Sequence, residues 1–370
     1  MLDRRLAKNL DHGLLLSVMG LLLLGLVAVF SATHAKQAEV NGNPYTFLLR
    51  QSLAAGLGLF AGFLMLNFDY RYLEKLARPL YFANLGLLGL VLAVGHTAGG
   101  AQSWIRFGGF SFEPAELSKV AIILSLAKHL EKREDIHRWS GVGSAFLHVG
   151  LPIALILKQP DLGTALVFVG ILFAMLYVGG AQPRHLLTIL LIGAVLTVPV
   201  YFWVLEPYQK ARIMMLVNPY ADPTGNGYNV IQSMIAVGSG RLFGKGLFGG
   251  TQTQLNFVPE HHTDFIFSVI GEEFGFLGGA LVLFLYYYVF RRGLVAVAEA
   301  KDRFGSLLAA GVVAMLFSHV LINVGMNLGV MPVTGIPLPF LSYGGSALIA
   351  NLMGIGLLAN VYMRRQKILF

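Results

Sequence analysis

Long apolar runs separated by short polar breaks dominate the chain, and ten of them have the length of membrane-crossing helices: about 13–32, 47–67, 79–95, 114–130, 142–158, 161–179, 185–204, 264–290, 306–328 and 343–363. A helix needs about 20 mostly apolar residues to cross a hydrocarbon core about 30 Å thick. The pattern predicts an all-α polytopic membrane protein, a single integral domain over residues 1–370. Its one large polar interruption, residues 205–263, falls between the seventh and eighth spans. The first run resembles a signal peptide in following Arg4, Arg5 and Lys8, but a continuous stretch of about 20 residues reads as a retained span.

Composition agrees with that reading. The 370 residues are 56% hydrophobic and 12% charged, with mean hydropathy +0.68, against about 25% charged in ordinary soluble domains. The net charge of +8 lies in short clusters between apolar runs rather than on a soluble face, so it marks topology and not nucleic acid. With the N-terminus cytoplasmic, eighteen of the 27 Lys and Arg fall on the inner side and eight in or beside outer segments; Lys119 sits inside a span. Both termini are then cytoplasmic and 205–263 is extracytoplasmic. Cysteine is absent, which removes disulfides and thiolate chemistry.

The densest candidate chemistry lies where the large loop meets the eighth span, Pro259-Glu260-His261-His262-Thr263-Asp264. Asp264 is placed at the interface, where a polar substrate can reach it; it can also cap the helix that follows. A helix starting near Asp264 carries Glu272 and Glu273 about 12 Å deeper, as helix-packing acids or as functional groups. The His pair with Glu260 and Asp264 lacks the HExxH spacing of a zinc site. A magnesium or manganese ion held by carboxylates and substrate phosphates is the remaining metal option.

Elsewhere, Glu116 and Lys119 share a helix face at i,i+3, as a neutralising pair or a functional one. Asp161 sits in a tight turn with Lys158 and Gln159, as a helix cap or as part of an outer polar cluster. Gln209, Lys210 and Arg212 open the large loop, suited to lipid headgroups or to a pyrophosphate. His319, Asn323 and Asn327 form a polar stripe on the ninth span, for which hydrogen bonding between helices is the default. Pro332, Pro337 and Pro339 keep 331–340 from regular helix, and Ser342-Tyr343-Gly344-Gly345-Ser346 turns into the last span beside the outer cavity. Residues 231–237 suit a short interfacial helix. Gly99-Gly100 and Gly108-Gly109 let backbone approach a ligand or make a tight re-entry. No glycine pattern matches a P-loop or dinucleotide fingerprint.

Four stretches, Phe112-Glu113-Pro114-Ala115-Glu116-Leu117-Ser118-Lys119, Gln159-Pro160-Asp161-Leu162-Gly163-Thr164, Pro259 to Phe267 and Pro337 to Ser346, together resemble the SEDS family of bacterial membrane proteins. Lys245-Gly246 followed by Gly250-Thr251-Gln252-Thr253-Gln254-Leu255 resembles its rod-shape, RodA-like branch. The resemblance implies a ten-span glycosyltransferase that polymerises lipid II into peptidoglycan on the outer face of the cytoplasmic membrane. It implies Asp264 as the essential acid, with Lys119, Asp161, Gln209 and Arg212 as important polar positions. The implied partners are a class B penicillin-binding transpeptidase and other proteins of the elongation machinery. A translocase of lipid-linked oligosaccharide and a non-catalytic scaffold are the alternatives from other classes.

Overall fold

The computed structural model describes residues 8–41, 43–98, 101–107, 110–203, 205–225 and 227–365. Arg4 and Arg5 of the first basic cluster and the glycines at 99, 100, 108 and 109 lie outside these. A helix covers each of the ten expected segments: α1 His12–Asn41, α2 Thr46–Asn67, α3 Tyr70–Val94, α4 Pro114–Glu131, α5 Trp139–Lys158, α6 Leu162–Val178 and α7 Pro183–Trp203. After the large loop come α11 Ile266–Ala298, α12 Arg303–Asn327 and α13 Gly345–Met363. Eight of these helices are long and apolar enough to cross a membrane. The others are α6, at 17 residues, and α4, which carries Glu116, Lys119, Lys128 and Glu131.

The loop is itself structured, with α8 Pro207–Val217, α9 Tyr228–Ser239 and the single turn α10 Thr251–Gln254. The helix expected over 231–237 is the middle of α9. The all-α expectation needs one correction. β1 His96–Ala98, β2 Ala101–Phe107 and β3 Phe110–Phe112 form a small antiparallel sheet between α3 and α4. Each strand bonds its neighbour across a glycine pair, so the segment satisfies its backbone by pairing rather than by helix.

Helix starts follow local capping. Asp69 accepts from Arg71 N and starts α3 well before the apolar run, placing Arg71, Lys75 and Arg78 in its first turns. Asp161 accepts from Thr164 N to start α6, and Asp302 from Gly305 N to start α12. Each carboxylate satisfies a backbone donor that the helix leaves open.

The α12 and α13 helices form the centre of the bundle, whereas α7 is almost wholly exposed along its length. α13 lies against α2 at a contact only glycine permits: a Cβ on Gly356 would sit 2.3 Å from the Gly62 carbonyl oxygen. Small residues that let backbones approach are the usual means of packing helices in lipid, where burial of apolar surface gives no drive.

One feature of α11 corrects the expected uninterrupted helix from Asp264. The helix begins at Ile266 and breaks at Gly275, where φ is +67°. Loop backbone enters the break. Phe276 N and Leu277 N donate to the carbonyls of Arg241 and Leu242, while Lys245 N and Gly246 N donate to those of Glu272 and Glu273. A Cβ at Gly275 would stand 2.3 Å from Gly244 N. Irregular backbone is tolerated beside a membrane helix only when protein satisfies it, and these bonds do so.

Candidate active site

Asp264 ends a turn in which Thr263, Asp264 and Phe265 all direct their N–H groups at the Glu260 carbonyl. The turn is held from two sides. Asn323 Nδ2 donates to the Asp264 carbonyl at 2.8 Å and to the Ile336 carbonyl at 2.7 Å, and Asn327 Nδ2 reaches Asp264 O at 3.1 Å. From the other side Ser342 Oγ donates to Thr263 O at 2.6 Å while accepting from Leu338 N, and Tyr343 N donates to His262 O. The backbone of Asp264 is thus fixed by α12 and by the turn before α13, and its side chain remains partly exposed.

The carboxyl of Asp264 is pushed up to about 6, first by removal from water, then by the neighbouring Glu260 charge; Thr263 and Arg212 oppose the shift. A carboxylate near 6 is mostly ionised at neutral pH yet a better proton acceptor than an ordinary aspartate. Arg212 lines a cavity of about 250 Å³ between α8, α9 and residues 329–333, with Asn229, Gly225 and Met331. Gly335 leaves room beside the carboxylate: a Cβ there would lie 3.6 Å from Asp264 Oδ2.

A second polar cluster lies behind the proline-rich strap 331–340. Lys119 Nζ donates to Glu116 Oε1 at 2.6 Å and to His319 Nε2 at 2.8 Å, while His319 Nδ1 faces the Pro337 carbonyl at 3.1 Å. That carbonyl can only accept, so Nδ1 carries the proton and Nε2 accepts from the lysine. All three side chains are buried. Glu116 Oε2 and, at the turn before α6, Asp161 Oδ2 are buried without partners. Glu113, near enough to feel both acids, is raised well above the usual carboxylate range by burial, then by the charges of Glu116 and Asp161.

His319, Asn323 and Asn327 repeat every four residues on α12, about 6 Å apart along its axis. One stripe therefore touches the Lys119 cluster at one end and the Asp264 backbone one turn further on. The strap lies between, with Ile336 and Pro337 bonded to that stripe. Sequence reasoning assigned no site role to Glu113 and gave the stripe only helix packing. The position of Glu113 in the Phe112–Lys119 stretch was the available signal for the first.

The remaining candidates are placed as follows. Gln209 accepts from Glu206 N in the capping box that starts α8, and Lys210 Nζ reaches the Phe202 carbonyl at 3.2 Å. Gln209 thus secures the start of α8 and Lys210 ties α8 to the end of α7, while Arg212 alone of this group faces the cavity and is felt by Asp264. Glu272 and Glu273 anchor the loop. Glu272 accepts from Gln252 N, Thr253 N, Thr253 Oγ1 and Lys245 Nζ, and Glu273 accepts from Ser31 Oγ and Gln254 Nε2. The two acids, expected as helix-packing or functional groups, thus anchor the loop, whose backbone also bonds α11 at its break.

His261 turns both ring nitrogens to carbonyls, Val258 at 2.8 Å and Ala32 at 2.7 Å, while His262 packs against Phe47 and Tyr343. The histidine pair diverges and makes no shared metal shell. Among the described residues, no group of three His, Asp or Glu is arranged to hold a metal ion. Pro259 is exposed, Gly344 begins α13 as its N-cap, and its N–H and the Ser342 carbonyl are both bonded by Gln51, next to Gly345.

This geometry belongs to a recognisable group. A family model described as cell cycle protein, covering FtsW, RodA and SpoVE, matches residues 12–367. Stage V sporulation protein E of Bacillus subtilis is 42% identical over 361 residues, 96% of this chain and 98% of that protein. The peptidoglycan glycosyltransferase MrdB of Escherichia coli K12 is 36% identical over 361 residues, 97% of this chain and 95% of that one. A chain in a solved peptidoglycan synthase complex, which coordinates polymerization and crosslinking, superposes with a TM-score of 0.81 at 37% identity, covering 96% of this chain and 98% of that one. The chain belongs to the SEDS family, the cell cycle proteins of the FtsW, RodA and SpoVE type.

Proposed function

We infer that this chain is a peptidoglycan glycosyltransferase of the bacterial cytoplasmic membrane, polymerising lipid II into glycan strands. Full-length similarity to a peptidoglycan glycosyltransferase supports the activity. The observation that carries the site assignment is Asp264: an acid at a loop mouth, its backbone clamped, its carboxyl raised to about 6. The topology that fits has ten crossings, with both termini cytoplasmic and the 205–263 loop outside, as the basic clusters require.

The acceptor lipid II presents its GlcNAc 4-hydroxyl to Asp264, which takes the proton as the oxygen bonds to the anomeric carbon of the donor MurNAc. The bond from that carbon to the polyprenyl pyrophosphate breaks and its electron pair leaves with the phosphate. A single displacement inverts the anomeric centre. Charge building on the leaving oxygen needs a cation, and Arg212 in the adjoining cavity supplies one. Lys119 is the second cation of the site, held by Glu116 and His319 until a substrate phosphate draws it out; Asp161 orients a hydroxyl or cation beside it. The lipid tail stays in the bilayer, so no nucleotide is needed.

The resemblance of 245–255 to the rod-shape branch makes elongation the process served. A similar chain works in a complex that couples polymerization with crosslinking, which supports a class B penicillin-binding transpeptidase as partner. The test is polymerisation of fluorescent lipid II by the purified partner complex, with and without EDTA. Glycan polymer supports the enzyme, and polymer surviving EDTA removes any need for a divalent ion. Movement of lipid II between leaflets without polymer identifies a translocase instead.

A further inference from the structure

The end of the bundle opposite Asp264 carries a cleft that the glycosyltransferase reading does not use. α5, α6 and α7 run in alternating directions, so the first residues of α5 and α7 meet at one end. There His137, Arg138, Trp139, Arg184, His185 and Thr188 line a cleft of about 550 Å³. Of the two acids just before the cleft residues, Asp135 is engaged by Arg133 and Ser140 and Glu134 meets His137 through its backbone carbonyl. Among the described residues neither Arg138 nor Arg184 forms an ion pair; Arg184 donates only to the neutral Gln182. His185 is 95% buried against Trp139, ring centroids 4.2 Å apart, and its Nδ1 has no hydrogen-bond partner.

Two helix N-termini and two guanidinium groups without an ion pair favour an anion, and in its Nδ1–H tautomer the buried, unpartnered His185 adds a donor to it. The surroundings say which kind. Just beyond the basic residues, Leu187, Leu190 and Leu191 of α7 are more than half exposed, and Trp139 is 52% exposed at the start of α5. α7 has few protein neighbours along its length. A soluble anion has no use for that apolar surface, whereas an acylated one covers it.

We propose that this cleft binds the phosphate headgroup of an anionic phospholipid in the leaflet opposite Asp264. Arg138 and Arg184 hold the phosphate, Trp139 sits at the headgroup level, and the acyl chains lie along α7. The site needs only that α5 and α7 cross the bilayer, so it stands or falls separately from the catalytic assignment.

Native mass spectrometry of the full-length protein in detergent tests it, with added phosphatidylglycerol or phosphatidylcholine. Each guanidinium in contact with the bound phosphate is worth about fivefold, the strength of one basic residue beside anionic lipid. The double substitution Arg138→Gln/Arg184→Gln is therefore expected to lower phosphatidylglycerol retention about 25-fold, with phosphatidylcholine unaffected. A control pair of equal charge, Arg291→Gln/Lys301→Gln, is expected to retain phosphatidylglycerol as wild type does. Equal retention by the cleft variant, or an equal loss in the control pair, overturns the site. Displacement of the lipid by millimolar inorganic phosphate or glycerol 3-phosphate would assign the cleft to a soluble phosphate and overturn the lipid reading.

Discussion

Replacing Asp264 with asparagine should make the protein inactive and more stable. The carboxyl is raised from 3.8 to about 6, chiefly by desolvation, so the folded protein holds this proton more tightly than the unfolded chain does. Stabilisation belongs to the protonated form: it is complete below about pH 4 and lost as the pH rises through about 6. A shift of about two units corresponds to about 3 kcal/mol, and partial exposure of the side chain lowers this to about 1–3 kcal/mol. Asparagine carries no charge at any pH and nearly the same shape. At pH 7.5 the Asp264→Asn protein should melt about 2–5 °C above wild type, with the gap closing towards pH 4.5 as wild-type Asp264 takes up its proton. Thermal melting of both proteins in one detergent across that range decides the matter. A variant that melts at or below the wild-type temperature at pH 7.5, or a gap independent of pH, would refute the desolvated-carboxylate argument.

Three further outcomes follow from contacts around the site. Asn323→Ala removes the amide that donates to the carbonyls of Asp264 and Ile336, leaving Asn327 alone on the first, and should cost about 1–3 kcal/mol while lowering kcat more than it raises KM, as chemical denaturation and steady-state kinetics will show. Gly275→Ala forces a side chain into positive φ and against Gly244; protease cleavage within 241–254 should become much faster, with the rest of the bundle intact. Lys119→Met leaves Glu116 buried and unpaired, at about 3–5 kcal/mol. Glu116→Gln/Lys119→Met should recover most of that stability in a double-mutant cycle yet stay inactive, and recovered polymerisation would show that the pair serves only the fold.

The spans were legible because a run of about 20 apolar residues has few other fates in a chain with so little charge. Asp264 was legible for a related reason, as the last acid of a polar segment before such a run. The Glu116–Lys119 pair followed from i,i+3 spacing alone. What escaped the sequence is non-local. The break at Gly275 is made by the backbone of 241–246, and nothing in Gly271-Glu272-Glu273-Phe274-Gly275-Phe276 by itself distinguishes a broken helix from a continuous one. Lys119 and His319 stand 200 residues apart in the chain, so the histidine read only as part of a stripe on its own helix. The sheet over 96–112 was hidden because its strands are short and flanked by glycines, which read equally well as loose turns.

The central claim is that Asp264 accepts the proton of the attacking sugar hydroxyl. The most direct measurement is the rate of lipid II polymerisation by the purified complex from pH 5 to 8, comparing wild type with Asp264→Asn at equal amounts of assembled complex. The account predicts a wild-type rate that climbs through about pH 6 to a plateau, and no polymer from the variant at any pH. Polymerisation by Asp264→Asn at the wild-type rate would contradict it.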